Sequence, residues 1–280
     1  MDTELPRPHY LTVDGIRVAT YVFEPTHQAV GEVVMCHGTP WSARVWAEVA
    51  RHVGRDRRVF LWDMPGYGQS ITPDAPLDLT TQMSRFAQVQ SLWGVTRPHV
   101  VAHDIGGAVA LGAHLLRDCG YASLFLWDIV TLDPWGSPFF RLVADHPEVF
   151  AQLPDALHAA LVREYIAGAI PHGLPAEQLD ALVQPWLGGN GQAGFYRQIA
   201  ALRPEHTRPV VERLSQVRCP TRIGWGADDP WIPVEQATRL QQLLPGRPDL
   251  VTLDGVGHLA PMESAAQVAQ AIDDWLGEFA

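Results

Sequence analysis

The chain contains no lysine; all 20 of its basic side chains are arginine. This absence removes a Schiff-base lysine and a phosphate-gripping P-loop lysine from the chemistry open to it, and the bias toward arginine itself reads as coding bias. Cysteine is scarce. Cys36, Cys119 and Cys219 are odd in number and show no C-x-x-C spacing, which excludes a disulfide scaffold and a zinc knuckle and fits a reducing, cytoplasmic compartment. Positive charge is in deficit, with 20 basic against 31 acidic residues and a net charge of −11. Counterion release cannot hold a phosphate backbone on such a surface, so nucleic acid is excluded as a partner. No uninterrupted apolar run approaches the roughly 18 residues of a membrane span. The segment 1–8 is polar and lacks a basic stretch followed by an apolar one, so neither a membrane association nor a signal peptide is expected. No dense His/Asp/Glu cluster suggests a metal, and no cofactor is called for.

What is present is a globular composition. Hydrophobic residues make up 47% of the 280 positions and charged ones 18%, so disorder is not the main state. The length, set against roughly 150 residues per domain, allows two units or one large α/β unit with an insertion. Compact apolar runs, each bounded by Gly, Pro or Asp, predict strands in His9 to Phe23 (two, around Asp14-Gly15), Glu32–Cys36, Arg58–Trp62, His99–Ala102, Ser123–Trp127, Arg222–Gly226 and Leu250–Leu253. Helical spacing recurs in Ala43–Arg51, Thr80–Trp93, Gly107–Arg117, Pro233–Leu244 and Ser264–Phe279. This alternation argues for a mostly parallel sheet covered on both faces. From about Leu132 to Ser215 no strand is visible, only short helical patterns broken by prolines and Gly188-Gly189. The reading is a core of residues 1–131 and 216–280 with a helical lid at 132–215, over the carboxyl ends of the strands where open α/β sheets bind ligands.

Three turns carry the chemistry. Ala102-His103-Asp104-Ile105-Gly106-Gly107 follows a strand and opens a helix, and its small residues permit the sharp turn that lifts a nucleophile above a sheet. Asp before a helix is also an ordinary N-cap, so Asp104 alone leaves both readings open. His37-Gly38-Thr39-Pro40 follows an earlier strand. Gly226-Ala227-Asp228-Asp229-Pro230 follows the penultimate strand, and Gly255-Val256-Gly257-His258 lies between the last strand and the last helix. His258 is distinguished by its place in the order nucleophile, acid, histidine, not by residue type, since the chain has 12 histidines.

On these motifs, with the turn Asp63-Met64-Pro65-Gly66-Tyr67-Gly68-Gln69-Ser70, the chain resembles the α/β-hydrolase superfamily over essentially its whole length. Within it, the chain resembles the branch with an aspartate nucleophile: epoxide hydrolases, haloalkane dehalogenases and fluoroacetate dehalogenases. The resemblance implies backbone amides of Thr39 and Ile105 as the oxyanion hole and His258 as general base. It implies Asp229 as the acid that orients the base, with Asp228 and Asp128 as competitors. His37 and His103 flank these loops and are read as more structural than catalytic.

An aspartate at the elbow narrows the reaction on chemical grounds. Serine attacking a saturated carbon would leave an ether, a dead end. A carboxylate leaves an alkyl ester whose carbonyl activated water can attack. Asp104 therefore argues for displacement at an sp3 carbon and against esterase, lipase or peptidase activity.

An opening epoxide also needs a proton, which epoxide hydrolases take from lid tyrosines; the segment 132–215 supplies Tyr165 and Tyr196. The His-Gly-X-Pro form of the oxyanion loop agrees with that branch. Typical haloalkane dehalogenases have Trp after the nucleophile and Asn after His-Gly, where this chain has Ile105 and Thr39, and many epoxide hydrolases also have that Trp. The fluoroacetate type uses a lid His-Trp pair that is missing here.

The expectation is an epoxide hydrolase with a small apolar organic substrate. Trp41, His37, Trp135 and Trp186 would line its pocket, helped by the apolar lid residues Phe139, Phe140, Leu142, Phe150 and Leu153. A homodimer is compatible with the sequence. The alternatives are a haloalkane or haloacid dehalogenase with the same triad and a non-catalytic ligand-binding protein on the same fold.

Overall fold

In a computed structural model, residues 4–72 and 75–279 are described. Eight strands form one sheet: β1 (His9–Val13), β2 (Ile16–Phe23), β3 (Glu32–Cys36), β4 (Arg58–Trp62), β5 (His99–His103), β6 (Ser123–Trp127), β7 (Thr221–Gly226) and β8 (Leu250–Leu253). Their order across the sheet is β1-β2-β4-β3-β5-β6-β7-β8. The hairpin β1–β2 and the β2–β4 pair are antiparallel; from β4 through β8 every pair is parallel. The central strands are buried along nearly their whole length, β6 entirely, because helices cover both faces and no side needs to face water.

Helices α1 (Ala47–Val53), α2 (Leu79–Trp93) and α3 (Ile105–Leu116) connect the first parallel strands. Asp78 caps α2, its side chain accepting the Thr81 N–H at 2.9 Å, and Gly94 ends it at φ 73°. Helix α3 is apolar around its whole circumference and lies against α2 so closely that a Cβ on Gly112 would meet Met83 Sδ at 2.2 Å. After β7 come α10 (Glu235–Leu243), α11 (Ala260–Glu263) and α12 (Ala265–Gly277).

Between β6 and β7 the described chain is helical: α4 (Pro138–Asp145), α5 (Pro147–Phe150), α6 (Asp155–Ala167), α7 (Ala176–Val183), α8 (Gly189–Ala201) and α9 (Arg208–Val211), with short 3-10 turns between them. Ser137 caps α4 by accepting the Phe140 N–H at 3.1 Å, with Pro138 in the first turn. The prolines that punctuate this stretch therefore start helices more often than they interrupt them. The mostly parallel sheet flanked by helices is the architecture read from the sequence, and the helical stretch begins where the strand pattern stops.

The crossover from β5 into α3 depends on close approach. A Cβ on Gly106 would sit 2.4 Å from the His37 carbonyl oxygen and 2.8 Å from that of Cys36. Backbone, not a yielding side chain, occupies that space. Gly106→Ala is expected to lower the unfolding free energy by about 1–3 kcal/mol, the usual cost of overpacking, as measured by urea denaturation. A change within about 0.5 kcal/mol would show the contact to be looser than described.

Candidate active site

The carboxyl ends of β3, β5, β7 and β8 converge on one buried cluster. Asp104 follows β5 with φ 52° and ψ −127°, a backbone conformation unusual for a non-glycine residue. It stands at the N-cap position of α3, but its side chain makes no capping bond there. Instead Oδ2 accepts the Thr39 N–H at 2.6 Å, and the Ile105 N–H also bonds the carboxyl group. The two amides expected to form an oxyanion hole both bond the Asp104 carboxyl group. Burial drives the Asp104 pKa up to about 7, against the opposing pull of His258 and the two amides.

His258 is fully buried. Its Nδ1 lies 2.8 Å from Asp229 Oδ2, and its Nε2 lies 3.9 Å from Asp104 Oδ1 with no hydrogen-bond partner among the described residues. That gap is too long for a hydrogen bond. Burial disfavours the charged imidazole, but Asp229, Asp104 and Asp128 outweigh it and raise its pKa to about 9. The loop carrying it is pinned on three sides. The His258 N–H donates to Ala169 O at 3.0 Å, and Glu263 accepts the Gly257 and Leu259 N–H groups at 3.0 and 2.9 Å.

The three candidate acids are separated by position. Asp229 uses Oδ2 for His258 and Oδ1 for the N–H groups of Trp231 and Ile232, at 2.8 and 2.9 Å. Asp228 is half exposed and faces His172 at 3.4 Å, on the other side of the turn from the imidazole. Asp128 is fully buried; Oδ1 accepts the Gly226 N–H at 2.7 Å and Oδ2 has no partner among the described residues. Burial and the neighbouring Asp229 hold its pKa well above the carboxylate range.

A cavity of about 50 Å3 opens above Asp104 and His258, walled by Thr39, Ile105, Trp135, Phe140, Tyr165 and Trp231 among others. Burial and the nearby Asp104 push the Tyr165 pKa far above the usual phenol value, which keeps its proton in place. The Trp135 indole is in the wall, donating to Thr207 Oγ1 at 3.1 Å.

Other expected residues are placed elsewhere. The Tyr196 hydroxyl bonds His158 Nδ1 at 2.8 Å, away from the chamber, because α8 turns that face toward α6. Trp186 donates its indole to Pro40 O at 2.9 Å, fixing the oxyanion loop from outside. Trp41 lies behind the wall, stacked on Trp231 at 5.8 Å. His37 is consumed by backbone, its Nε2 accepting the Met64 N–H and its Nδ1 on Gly38 O. His103 likewise holds the His258 carbonyl at 2.8 Å. Of the apolar residues expected in the pocket, Phe140 is in the chamber wall, while Leu142 is 52% exposed on the outer face of α4.

Three residues at the site escaped the sequence reading. Trp231 lies 5.0 Å from the His258 ring, and its place just after Asp229-Pro230 was an available signal. Tyr67, in the Asp63–Ser70 turn, and Gln198, on α8, meet at the oxyanion loop. Gln198 Oε1 accepts the Thr39 hydroxyl at 2.6 Å and the Tyr67 hydroxyl at 3.0 Å. Nothing in the sequence marks Gln198, a polar residue at an interior position of an insertion helix.

No group of three or more His, Cys, Asp or Glu among the described residues could hold a metal ion, and no described helix is long and apolar enough to cross a membrane.

Known proteins place this arrangement. A profile of the alpha/beta hydrolase family matches residues 33–271. The structure of an alpha/beta hydrolase fold protein from Burkholderia ambifaria is 37% identical, with a TM-score of 0.92 over 97% of this chain and 99% of that one. A 2-hydroxy-6-oxononadienedioate/2-hydroxy-6-oxononatrienedioate hydrolase from Burkholderia vietnamiensis is 24% identical over 98% of this chain and 97% of its own. Haloalkane dehalogenase DbeA from Bradyrhizobium elkani USDA94 superposes with a TM-score of 0.77 at 17% identity, over 97% of this chain and 98% of that one. At that identity the likeness is one of fold alone.

Removing Gln198 strands two buried hydroxyls. Gln198→Leu is expected to lower the unfolding free energy by about 1–3 kcal/mol, and Gln198→Glu, which keeps the acceptor, by less. Equal losses in chemical denaturation of the two variants would show that packing alone matters there.

Proposed function

Because the chain belongs to the alpha/beta hydrolase family, we propose that it is a hydrolase acting at a saturated carbon through an aspartyl ester, and specifically an epoxide hydrolase giving a diol. The observation that carries this reading is the division of labour between the two Asp104 oxygens. Oδ2 accepts the Thr39 amide, while Oδ1 lies 3.9 Å from His258 Nε2, which has no hydrogen-bond partner among the described residues.

In the first step Asp104 Oδ1 forms a bond to an epoxide carbon as the ring C–O bond breaks. The Tyr165 hydroxyl gives its proton to the departing oxygen. The phenolate recovers a proton from the His258 imidazolium through chamber water, which leaves the imidazole neutral. Esterification also removes the negative charge of Asp104, one of the causes that raise the His258 pKa, so the ring becomes a base when one is needed. In the second step His258 Nε2 takes a proton from water and the hydroxide attacks Asp104 Cγ. Negative charge develops on Oδ2, where the Thr39 amide already points; one such donor is worth on the order of 3 kcal/mol of barrier. The intermediate expels the diol, whose alkoxide takes the carboxyl proton, and Asp104 is restored as a carboxylate. Asp229 holds the imidazole in orientation throughout and stabilises its charged form.

One donor in the chamber wall counts against a carbon–halogen bond. A halide needs N–H groups in a dry pocket, and the Trp135 indole is already committed to Thr207. A haloacid or a dioate would need a cation for its carboxylate, and the chamber wall contains no arginine. A receptor without activity has no use for a base, an orienting acid and a prepared hole in one place.

Three outcomes test the reading. In His258→Gln with an epoxide, the alkyl-enzyme is expected to accumulate as a mass increase on the Asp104 peptide; absence of any adduct with epoxides and haloalkanes would point to a receptor. Tyr165→Phe is expected to slow diol formation on the order of 100-fold and Tyr196→Phe to leave it within a few-fold; halide release without diol formation would move the assignment to a dehalogenase. The alkylation rate in single turnovers is expected to rise with pH through about 7, because Asp104 is neutral below its raised pKa and ionised above it. A profile flat from pH 5 to 9 would remove Asp104 as the attacking group.

A further inference from the structure

The chamber is far too small for an ordinary ligand. Its volume is about 50 Å3, whereas sites for small organic molecules run to several hundred. An epoxide ring fits; a substituent of any length does not.

A second cavity of about 390 Å3 begins on the other side of the chamber wall. Ser137, Tyr165 and Trp231 border both spaces, and Phe139, Leu161, Glu164 and Gly168 complete the second one. The partition is a ring pair, with Tyr165 stacked on Trp231 at 4.7 Å and 29°. Its two halves are held differently. The Trp231 backbone is tied to Asp229 Oδ1 at 2.8 Å, so this half is fixed to the same carboxylate that holds His258. Tyr165 belongs to α6 of the helical insertion and packs on Phe139 and Phe195 at 5.1 and 5.9 Å. A chain lying across the opened pair would join the two spaces, with the Tyr165 hydroxyl beside Asp104 and the tail outside.

We propose that this outer groove is the tail-binding subsite of the same reaction, and that the substrate is a terminal epoxide carrying an uncharged apolar tail; this rests on the epoxide reading above. The ring carbon enters first because the chamber has room at only one end of the molecule; an epoxide substituted on both carbons would need space on the far side that is not there. The tail is apolar because the groove walls are mainly aromatic and aliphatic. It is uncharged because Glu164 is the only ionisable group in the groove besides the Tyr165 phenol and no arginine borders either space. A carboxylate tail would meet repulsion from Glu164 and find no counter-ion.

The test is a series of 1,2-epoxyalkanes from propane to octane, assayed with wild type and with Leu161→Trp, which fills the groove without touching Asp104, His258 or Asp229. Binding of the product alkane-1,2-diols is measured in parallel by calorimetry. For wild type, kcat/KM is expected to rise about fourfold per methylene while the tail extends along the groove. Leu161→Trp is expected to remove at least tenfold from the octane member and to leave the propane member within twofold. Glu164→Arg is expected to raise kcat/KM for an epoxide with a terminal carboxylate at least tenfold over wild type. A wild-type series flat in chain length, or a variant that loses short and long substrates equally, overturns the subsite. If no epoxide is turned over but diol affinity still rises with length and Leu161→Trp abolishes the rise, the subsite stands and the assigned reaction falls.

Discussion

The geometry of the site depends on one constrained residue. Asp104 is held at φ 52°, where a non-glycine residue costs of order 1–3 kcal/mol. The surroundings enforce this. The Asp104 N–H donates to Trp127 O on the next strand, and its carbonyl accepts the N–H groups of Gly107 and Val130. Gly38 removes a side chain that would otherwise collide with it, since a Cβ there would meet Asp104 Oδ2 at 2.4 Å, and Gly106 lets the backbone of the loop after β3 come close. The same close approach that forces the strain brings the Thr39 amide to 2.6 Å from that oxygen. Strain and hydrogen bond are thus two consequences of one packing arrangement between the loops after β3 and β5.

From that position follows the electrostatics. Burying a carboxylate beside a buried imidazole penalises each charge alone and favours both together. Both pKa values are raised, but to opposite effect on charge: burial lifts Asp104 to about 7 and favours its neutral form, while the carboxyl groups around His258 lift it to about 9 against burial and favour the charged imidazole. Asp128 adds a third carboxyl group under the pair. Burial and the neighbouring Asp229 raise its pKa well above the carboxylate range.

Much of this was legible in the sequence, for a local reason. The elbow, the oxyanion loop and the acid and histidine turns are short segments whose glycines and aspartates are dictated by their own backbone geometry, so they read without knowledge of the rest of the fold. The choice between Asp228 and Asp229 was not local, since it depends on which side of the turn faces β8. The same holds for the tyrosines. Tyr165 and Tyr196 both lie on amphipathic helices, and only the packing of α6 against α8 sends one toward Asp104 and the other to His158. Gln198 was invisible because its role exists only where α8 meets the loop after β3.

Gln198 also shows why the helical insertion is more than a cover. It contributes an acceptor to Thr39, the residue whose amide grips Asp104, while Ala169 from the same insertion accepts the His258 N–H. Asp104 and His258 are thus both linked to the insertion by hydrogen bonds, one through the oxyanion loop and one through the histidine loop. Excluding water from a site strengthens every charge interaction in it. An insertion that closed the site without registering on these two loops would strengthen wrong geometries as much as right ones. Thr39 and His258 each bond to the insertion, so its position and theirs are coupled.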